Sequence, residues 1–268
     1  DIFDIPLKEF VESRRVRRTL SKAYTWPKKN KVTQRTSHAR SEFKQFFPAE
    51  GVDFPQGGEA PLVDPYFLGV WYGDGTKELN SVSVTTKDPE ILEMLREGAS
   101  SYGLTVRASK NPKRCPTYTL TQGSVGGRRN LLLDQIRMLF GDGSSLPQSY
   151  LTGDRETRSA FLAGLLDSDG HLSRGRVFDF IQKNKRWAEG VCFLATSLGI
   201  RSTMAPARKS AYRGVPGDIY WRVCLSGDFS KIPLRIKRKQ APPRAVVRRN
   251  KASDSGSGVR RTRHVNRT

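Results

Sequence analysis

The stretch FLAGLLDSDGHL, residues Phe161–Leu172, has a counterpart upstream in YFLGVWYGDGTK, residues Tyr66–Lys77. Each is an apolar run that ends in Asp-Gly, and the two aspartates, Asp74 and Asp169, are 95 positions apart (169 minus 74). Small residues recur four positions apart in both runs, and on a helix such residues share one face. The pattern therefore predicts two helices that pack backbone to backbone.

The Asp-Gly pairs predict how each helix ends. Glycine after a helix C-terminus commonly adopts the left-handed conformation, which we expect for Gly75 and Gly170. An aspartate at that end faces the negative end of the helix dipole. Because Asp74 and Asp169 would repel each other when the helices pair, we expect a cationic group between them.

The sequence after each motif repeats one order of elements. Alternating residues predict strands, and runs that begin near Pro or Asn and end at Gly predict helices. In the first copy the expected elements are a strand over Asn80–Thr86, a helix from Pro89 to Gly103, strands over 104–109 and 115–123, and a helix over Arg128–Gly141. In the second they are strand-like sequence over 171–182, a helix over 185–199, and strands over Arg201–Arg208 and Ile219–Ser226. The chain therefore contains an internal duplication.

These paired motifs resemble the LAGLIDADG homing endonucleases in their single-chain, two-motif form. The resemblance implies an α+β fold of two pseudo-symmetric αββαββα halves, which meet at a two-helix interface and present saddle-shaped DNA-binding sheets. The second motif matches closely. The first departs at its sixth position, where Tyr72 replaces the usual acid. Since that position is not the metal ligand in the family, the departure leaves the expected site intact.

The resemblance also implies a metal-dependent site. It makes Asp74 and Asp169 catalytic metal ligands, together with the backbone carbonyls of Gly73 and Ser168. Hard oxygen ligands without nearby His or Cys favour Mg²⁺, with Mn²⁺ as a substitute, over zinc. Metal ions held by acids can clamp the attacking and leaving oxygens of a phosphodiester. Because each aspartate would serve one strand, the expected product is a double-strand break.

Further catalytic residues are expected around the two aspartates. Gln182 resembles the family glutamine near the metal-bound water, and Thr86 lies in the matching place of the first half. A lysine is expected in each half. Lys231 is the candidate in the second half, whereas Ser144 or Ser145 lies where the first-half lysine is expected.

Basic residues in or beside the strands are the expected DNA contacts. Arginine reads guanine bidentately in the major groove, and lysine more often contacts phosphate. For each arginine alone, a solvated sheet edge is the competing interpretation. The predicted DNA-binding set is Arg107, Lys110, Lys113, Arg114, Arg174, Arg176, Arg201, Arg208, Arg222, Lys237 and Lys239.

The composition indicates a polyanionic partner. The chain has 268 residues and a formal net charge of +21, which predicts steeply salt-dependent binding to double-stranded DNA. It contains no apolar run of about 18 residues, so we expect no membrane span. The three cysteines and three histidines lack metal-site spacing, and we interpret the cysteines as reduced thiols of an intracellular protein. We expect a monomer, since the one chain carries both motifs.

Four segments are expected along the chain. Residues 1–65 form a basic lead-in, either a linker or a DNA-contacting arm. The first half covers 66–153, the second half 154–236, and a basic, flexible tail 237–268. Within that tail, Lys237–Lys239 is also a candidate nuclear localisation patch, which predicts a nuclear protein.

The stretches around both motifs further resemble the endonuclease region of fungal-type inteins. Such inteins begin with Cys or Ser and end in His-Asn, whereas this sequence begins at Asp1 and ends at Thr268, so we expect an endonuclease region that does not splice alone. Two other functions stay open from the sequence. One is a DNA-binding protein on the same scaffold that does not cut, and the other is an RNA-binding or intron-assisting protein.

Overall fold

The computed structural model describes residues 51–54, 60–109, 114–123, 129–173, 175, 177–208 and 217–241, and the structural statements below concern this part of the chain. Its elements follow in the order α1 (Pro65–Asp74), β1 (Val82–Thr85), α2 (Pro89–Ser101), β2 (Thr105–Ala108), β3 (Thr117–Thr121), α3 (Leu131–Phe140), α4 (Gln148–Leu151), α5 (Arg155–Ser168), β4 (Gly170–Ser173), β5 (Val177–Gln182), α6 (Lys185–Ser197), β6 (Arg201–Arg208), β7 (Ile219–Ser226) and a 3-10 turn (Lys237–Lys239).

Both motif runs form helices, as predicted, and each helix begins at an aspartate. The carboxylate of Asp64 accepts a hydrogen bond from the backbone N–H of Phe67 at 2.7 Å, and that of Asp154 accepts one from Thr157 at 2.6 Å. A side-chain acceptor at this position satisfies an N–H that the first helical turn leaves unpaired. The start of each motif helix is therefore set by the residue just before it.

The predicted left-handed glycines at the ends of the motif helices are wrong. Gly75 has φ −81° and ψ 153°, and Gly170 is not among the glycines with positive φ. A Cβ on Gly75 would overlap the carbonyl oxygen of Trp71, and one on Gly170 would lie 2.8 Å from the Cα of Leu166. Glycine is required here because the chain turns back directly against the last helical turn.

Each half contains one antiparallel sheet. The first has the strand order β1-β3-β2 and the second β4-β5-β7-β6. The predicted order of motif helix, two strands, helix and two strands is confirmed in the second half. In the first half one strand precedes α2, and an isolated bridge between Gly75 and Val84 takes the place of the other. There the N–H of Thr76 donates to the carbonyl of Ser83 at 2.9 Å.

One continuous core joins the two halves. The fully buried side chains of α1 and α5, such as Trp71 and Phe161, belong to the same apolar cluster as the inner faces of both sheets, represented by Val84 and Phe178. The described residues accordingly lie within one compact unit, Pro48–Thr268. No helix in the described ranges is long and apolar enough to cross a membrane.

A buried arginine fixes the start of α5. Arg158 is fully buried, and its guanidinium donates to the backbone carbonyls of Gly153, Ser197 and Val52 at 2.7–3.0 Å. It also donates to the hydroxyl of Ser197 at 2.8 Å. These bonds hold the short segment 51–54 against the second half, immediately beside the helix that carries Asp169.

Candidate active site

The two motif helices approach each other so closely that only glycine fits between them. A Cβ on Gly164 would overlap the carbonyl oxygen of Tyr66 and lie 2.9 Å from the Cα of Gly69. A Cβ on Gly73 would likewise collide with the side chain of Ser168. This confirms the predicted backbone-to-backbone packing, and it brings the C-terminal ends of both helices together.

Asp74 and Asp169 therefore end up as neighbours in a partly buried place. Burial, together with the negative charge of Asp169, raises the pKa of Asp74 to about 6. Burial also raises the pKa of Asp169, which nearby lysines oppose. The two carboxylates are thus charged groups that the fold assembles against an electrostatic cost.

One of the compensating cations is Lys77, three residues after Asp74. Its ammonium donates to the carbonyl oxygens of Trp71 at 2.6 Å and Gly75 at 2.7 Å, and it lies 4.6 Å from the ring centroid of Trp71. Burial lowers its pKa to about 8, while the charges of Asp169 and Asp74 act in the opposite direction. Lys77 therefore caps the end of α1 and neutralises part of the acid pair.

The second cation is Lys239, from the 3-10 turn near the end of the described residues. It is 6% exposed, and its ammonium donates to the carbonyls of Leu166 at 3.0 Å, Asp167 at 2.7 Å and Ser168 at 3.2 Å. In place of one cation between the aspartates, two lysines lie at the ends of the motif helices, and their charges oppose the raised pKa of Asp74 and of Asp169. As a DNA-contacting residue Lys239 stays a prediction, but its ammonium faces the protein interior.

Of the predicted glutamine and threonine, one contacts an aspartate. The amide nitrogen of Gln182 donates to the carboxylate of Asp169 at 3.2 Å. Thr86 is buried, and its hydroxyl accepts from the backbone N–H of Asp88 at 3.1 Å at the start of α2. Its described hydrogen bonds do not include Asp74, so the two halves differ at this position.

The predicted lysine positions lie differently from expectation. Lys231 is exposed in the turn after β7, and its catalytic role stays a prediction. The carbonyl of Ser144 accepts from the side chain of Asn184 at 3.0 Å, and its hydroxyl lies 3.4 Å from Arg186. The loop that carries Ser144 and Ser145 is thus held against the start of α6.

The expected DNA-contacting arginines on described strands are exposed. Arg107 donates to the carbonyl of Gly123 at 2.6 Å, and Arg222 lies 3.4 Å from Asp179. Arg201 lies on the same sheet face as Arg222, whereas Arg208 is one position out of that alternation. Arg114 and Lys237 are also exposed. The remaining candidates, Lys110, Lys113, Arg174 and Arg176, lie outside the described residues.

The outer faces of the two sheets differ in chemistry. In the first sheet, hydroxyls bond across the strands: Ser83 with Thr119 at 2.9 Å, and Thr85 with Thr117 at 2.8 Å. In the second, the register aligns polar, ionisable and sulfur side chains across four strands in the row His171, Asp179, Cys224 and Thr203. The thiol of Cys224 donates to the carboxylate of Asp179 at 3.2 Å.

A strap after β7 fastens the second motif helix to the first half. We define this strap as residues 229–240. The carboxylate of Asp167 accepts from the backbone N–H groups of Arg235 at 2.7 Å and Ile236 at 3.3 Å. Within the strap, Arg235 also pairs with Glu97 at 2.8 Å and Arg238 with Asp88 at 2.7 Å, both on the first half. The strap thereby delivers Lys239 to the end of α5.

The donor set at the helix ends fits a hard divalent cation. Its side-chain ligands would be oxygens only, from Asp74 and Asp169, and Mg²⁺ commonly binds through one or two carboxylates plus substrate phosphates. In the described part of the chain there is no group of three or more His, Cys, Asp and Glu that could enclose a metal. Such a cation would therefore be completed by the substrate.

Lys77, Arg235 and Arg238 are the site groups that sequence reasoning missed, and Lys239 was expected to contact DNA rather than the end of α5. Comparison of the two copies at their 95-residue offset offers a signal, because Lys77 corresponds to Leu172 and Lys239 to Ser144. A lysine present in one copy and absent from the other marks a position where the halves differ. The burial of Lys239, by contrast, has no signal in the basic run that contains it.

Comparisons with known proteins agree with this geometry. Residues 145–235 match the model of the family described as Homing endonuclease. The chain is 34% identical over 138 residues to the homothallic switching endonuclease of Saccharomyces cerevisiae, across 43% of this chain and 23% of that protein. It is 33% identical over 186 residues to the replicative DNA helicase DnaB of Mycobacterium intracellulare, across 69% of this chain and 27% of that protein. The chain thus spans about a quarter of the length of these relatives.

Solved structures with a similar arrangement include I-DmoI in complex with DNA and Ca, at 15% identity and a TM-score of 0.41, covering 62% of this chain and 83% of that one. Another is the N-terminal LAGLIDADG domain of DUF199/WhiA, at 12% identity and a TM-score of 0.38, covering 63% of this chain and 78% of that one. The two motif helices, their paired aspartates and the match of residues 145–235 together support a LAGLIDADG homing endonuclease.

Proposed function

We propose that this protein is a site-specific DNA endonuclease that breaks both strands of a long recognition site. One observation carries the proposal: the fold places Asp74 and Asp169 together at the ends of two helices, despite their mutual repulsion. A purely structural helix pair gains nothing from two partly buried carboxylates of like charge. A site that binds cations and phosphates does gain from them.

In this proposal the two aspartates hold Mg²⁺, or Mn²⁺ in its place, with the carbonyls of Gly73 and Ser168 as further candidate ligands. When bound, the metal supplies charge neutralisation at the phosphate and an activated water. Gln182 orients the Asp169 carboxylate through its 3.2 Å hydrogen bond. Lys77 and Lys239 offset the charge of the acid pair from the protein side.

The exposed sheet faces would bind the duplex. The net charge of +21 supports a polyanionic partner. The paired strands β6 and β7 carry Arg201 and Arg222, and a two-stranded ribbon is an element that the major groove admits. A single chain supplies both aspartates, so the proposed active form is a monomer on double-stranded DNA.

The relatives support a further proposal about where this segment occurs. They include proteins named as a replicative helicase and as a probable translation initiation factor, and the shared stretch is 27% and 13% of their respective lengths. A segment shared with small parts of proteins so different is separable from their other functions. This supports an origin in an endonuclease region of the intein type.

The proposal is tested by incubating the purified chain with a plasmid library of random target sites in Mg²⁺, and in EDTA as the metal-free arm. We expect one long site to be linearised in Mg²⁺ and none in EDTA. Asp169→Asn should bind the selected site and leave it uncut. Glu93→Gln, which removes an exposed acid from α2, should cut like the unmodified chain.

Two results would contradict the proposal. Binding of DNA without cutting in Mg²⁺, Mn²⁺ and Ca²⁺ would favour a non-cleaving DNA-binding protein. Tighter binding to RNA than to the selected duplex, unaffected by Asp169→Asn, would favour the RNA-binding alternative.

A further inference from the structure

The ends of the two motif helices bind their lysines in the same way, although the lysines come from different places in the chain. At the 95-residue offset, Trp71 corresponds to Leu166. The carbonyl of Trp71 accepts from Lys77, and the carbonyl of Leu166 accepts from Lys239. An ammonium group therefore caps the equivalent carbonyl of each helix.

The position equivalent to Lys239 at the 95-residue offset is Ser144, and the two turns have analogous neighbours. The loop with Ser144 is held by Asn184, the N-cap of α6, at 3.0 Å. The turn with Lys239 is held through Arg238 by Asp88, the N-cap of α2, at 2.7 Å. Each half therefore docks its last turn on the helix start of the other half.

The side chains at these two equivalent positions differ in reach. Lys239 extends into the protein and donates to three carbonyls at the end of α5. Ser144 is too short to do so, and its hydroxyl lies beside Arg186 instead. The first half would therefore lack an ammonium at its helix end if the loop had to supply it.

Lys77 lies where that ammonium is missing. It comes from the chain that leaves α1, whereas the equivalent position in the second half is Leu172, which has no charge. Each motif helix thus has one lysine at its end. In the first half the lysine follows the helix and the residue in the last turn is Ser144, whereas in the second half the lysine lies in the last turn and the residue after the helix is Leu172. Two lysines at one end would repel each other, and none at one end would leave the acid pair with a single neighbouring lysine.

We propose that Lys77 is the first-half counterpart of Lys239, a positioning residue at the end of α1 that compensates the charge of the acid pair for cleavage of one DNA strand. This inference rests on the proposed endonuclease function. The position of the ammonium at the end of α1 matters, and not the residue that carries it. A lysine at residue 144 should therefore be able to replace Lys77.

The test compares Lys77→Met with the double variant Lys77→Met/Ser144→Lys on a plasmid that carries the selected site. Lys87→Met, which removes an exposed lysine of the same half, is the matched control. We expect Lys77→Met to slow cleavage of one strand by at least about tenfold, so that nicked plasmid accumulates. The double variant should cleave that strand within about threefold of the unmodified rate, and Lys87→Met should not differ from it.

A second measurement does not depend on cleavage. Calcium binding to the DNA-free protein, measured by calorimetry, should be tighter in Lys77→Met by about fivefold because a nearby positive charge is lost. It should return to the unmodified value in the double variant. If Lys77→Met is too unstable to assay, the double variant decides alone: cleavage of both strands supports the inference, and a persistent nick overturns it.

The inference is overturned if Lys77→Met cuts both strands at the unmodified rate, or if Ser144→Lys restores neither cleavage nor calcium affinity in a folded double variant. Failure of the proposed function looks different. In that case the unmodified chain cuts no site at all, whereas the calcium measurement still reports whether the two lysines are interchangeable.

Discussion

Tyr72 and Asp167 occupy the same position in the two motif helices, and different physics stabilises each. Tyr72 is buried among aromatic rings, with its centroid 5.0 Å from that of Trp187 and 6.0 Å from that of Phe161. Edge-to-face contacts of this kind add to the apolar area they bury. Its hydroxyl makes one long bond of 3.3 Å to the carbonyl of Leu139.

Asp167 is equally buried but is held by polar groups. Its carboxylate accepts from the hydroxyl of Tyr66 and from the backbone N–H groups of Arg235 and Ile236. Burial raises its pKa, which these hydrogen bonds oppose. Aromatic packing thus stabilises the sixth motif position of the first half, and hydrogen bonds to the strap stabilise that of the second.

The comparison teaches where the duplication is strict and where it is not. Close helix packing fixes the glycines Gly69 and Gly164, and the shared chemistry fixes Asp74 and Asp169. Several features further out have diverged, namely the sixth motif position, the source of the lysine and the outer sheet face.

The largest expected effect comes from breaking the part that the halves share. Gly164→Ala should destabilise the protein by about 3–5 kcal/mol, since its methyl would meet the backbone of α1 rather than a side chain that can move. Chemical denaturation followed by circular dichroism measures this.

The control for that experiment is Gly227→Ala, where the new methyl would have ordinary contacts of 3.4–3.6 Å with Ile200. Its free energy of unfolding should change by less than about 1 kcal/mol. Similar stability of the two variants would contradict the described helix packing.

The next largest effect separates the two sixth positions. Asp167→Ala should cost about 2–4 kcal/mol, because it leaves two backbone N–H groups and the hydroxyl of Tyr66 without an acceptor. Tyr72→Phe should cost less than about 1 kcal/mol, because it keeps the rings and loses one long bond. Equal losses of unfolding free energy in the two variants would contradict the distinction between aromatic packing at Tyr72 and hydrogen bonding at Asp167.

A smaller effect concerns pH. The pKa of Asp74 is raised to about 6 in the folded state, so the folded protein binds a proton there more readily than the unfolded chain. The charged form of Asp74 therefore destabilises the folded state. This loss of stability is absent below the ordinary pKa near 4, grows as the pH rises, and is complete above about 6. In EDTA, the free energy of unfolding of Asp74→Asn should exceed that of the unmodified protein by about 1–2 kcal/mol at pH 8 and by little at pH 4.

Denaturation at both pH values measures this difference, with Glu93→Gln as a surface-acid control that should gain nothing. A constant difference between Asp74→Asn and the unmodified protein from pH 4 to pH 8 would show that the carboxyl group does not titrate as described.

The smallest effect tests the outer sheet faces. A plot of the logarithm of the binding constant against the logarithm of the salt concentration has a negative slope. Arg222→Gln should make this slope less steep by about one, since one phosphate-neutralising charge is lost. Thr119→Val in the hydroxyl-bonded first sheet should leave the slope unchanged. Filter binding to the selected site at several salt concentrations measures both, and equal slopes for Arg222→Gln and the unmodified chain would place Arg222 away from phosphate.

Much of this architecture could be predicted because it depends on local pattern. Small residues four positions apart within each apolar run, Gly69 with Gly73 and Gly164 with Ser168, indicated the helix pair. Alternation indicated strands such as β6 and β7 with their observed bounds. The need for a cation followed from charge alone. The helices and strands are determined by residues near one another in sequence, and the cation follows from pairing the two motifs.

What could not be predicted depends on contacts distant in sequence. Lys239 lies in a basic run that is typical of an exposed tail. It is buried because the carboxylate of Asp167 accepts hydrogen bonds from the backbone N–H groups of Arg235 and Ile236, which lie 68 and 69 residues later in the chain. The conformation of Gly75 depends on how tightly the chain folds against Trp71, which no turn preference contains.

The strap has a consequence for the order of events in folding. Arg238 and Asp88 are 150 residues apart in sequence, whereas the carboxylates and the helices that carry them lie earlier in the chain. Contacts that close so long a loop form late, because the entropy of ordering the intervening chain must be overcome first. The hydrogen bonds from Lys239 to the end of α5 span only 71–73 residues, so in a partly folded molecule Lys239 would reach α5 before the ion pair of Arg238 and Asp88 ties the strap to the first half.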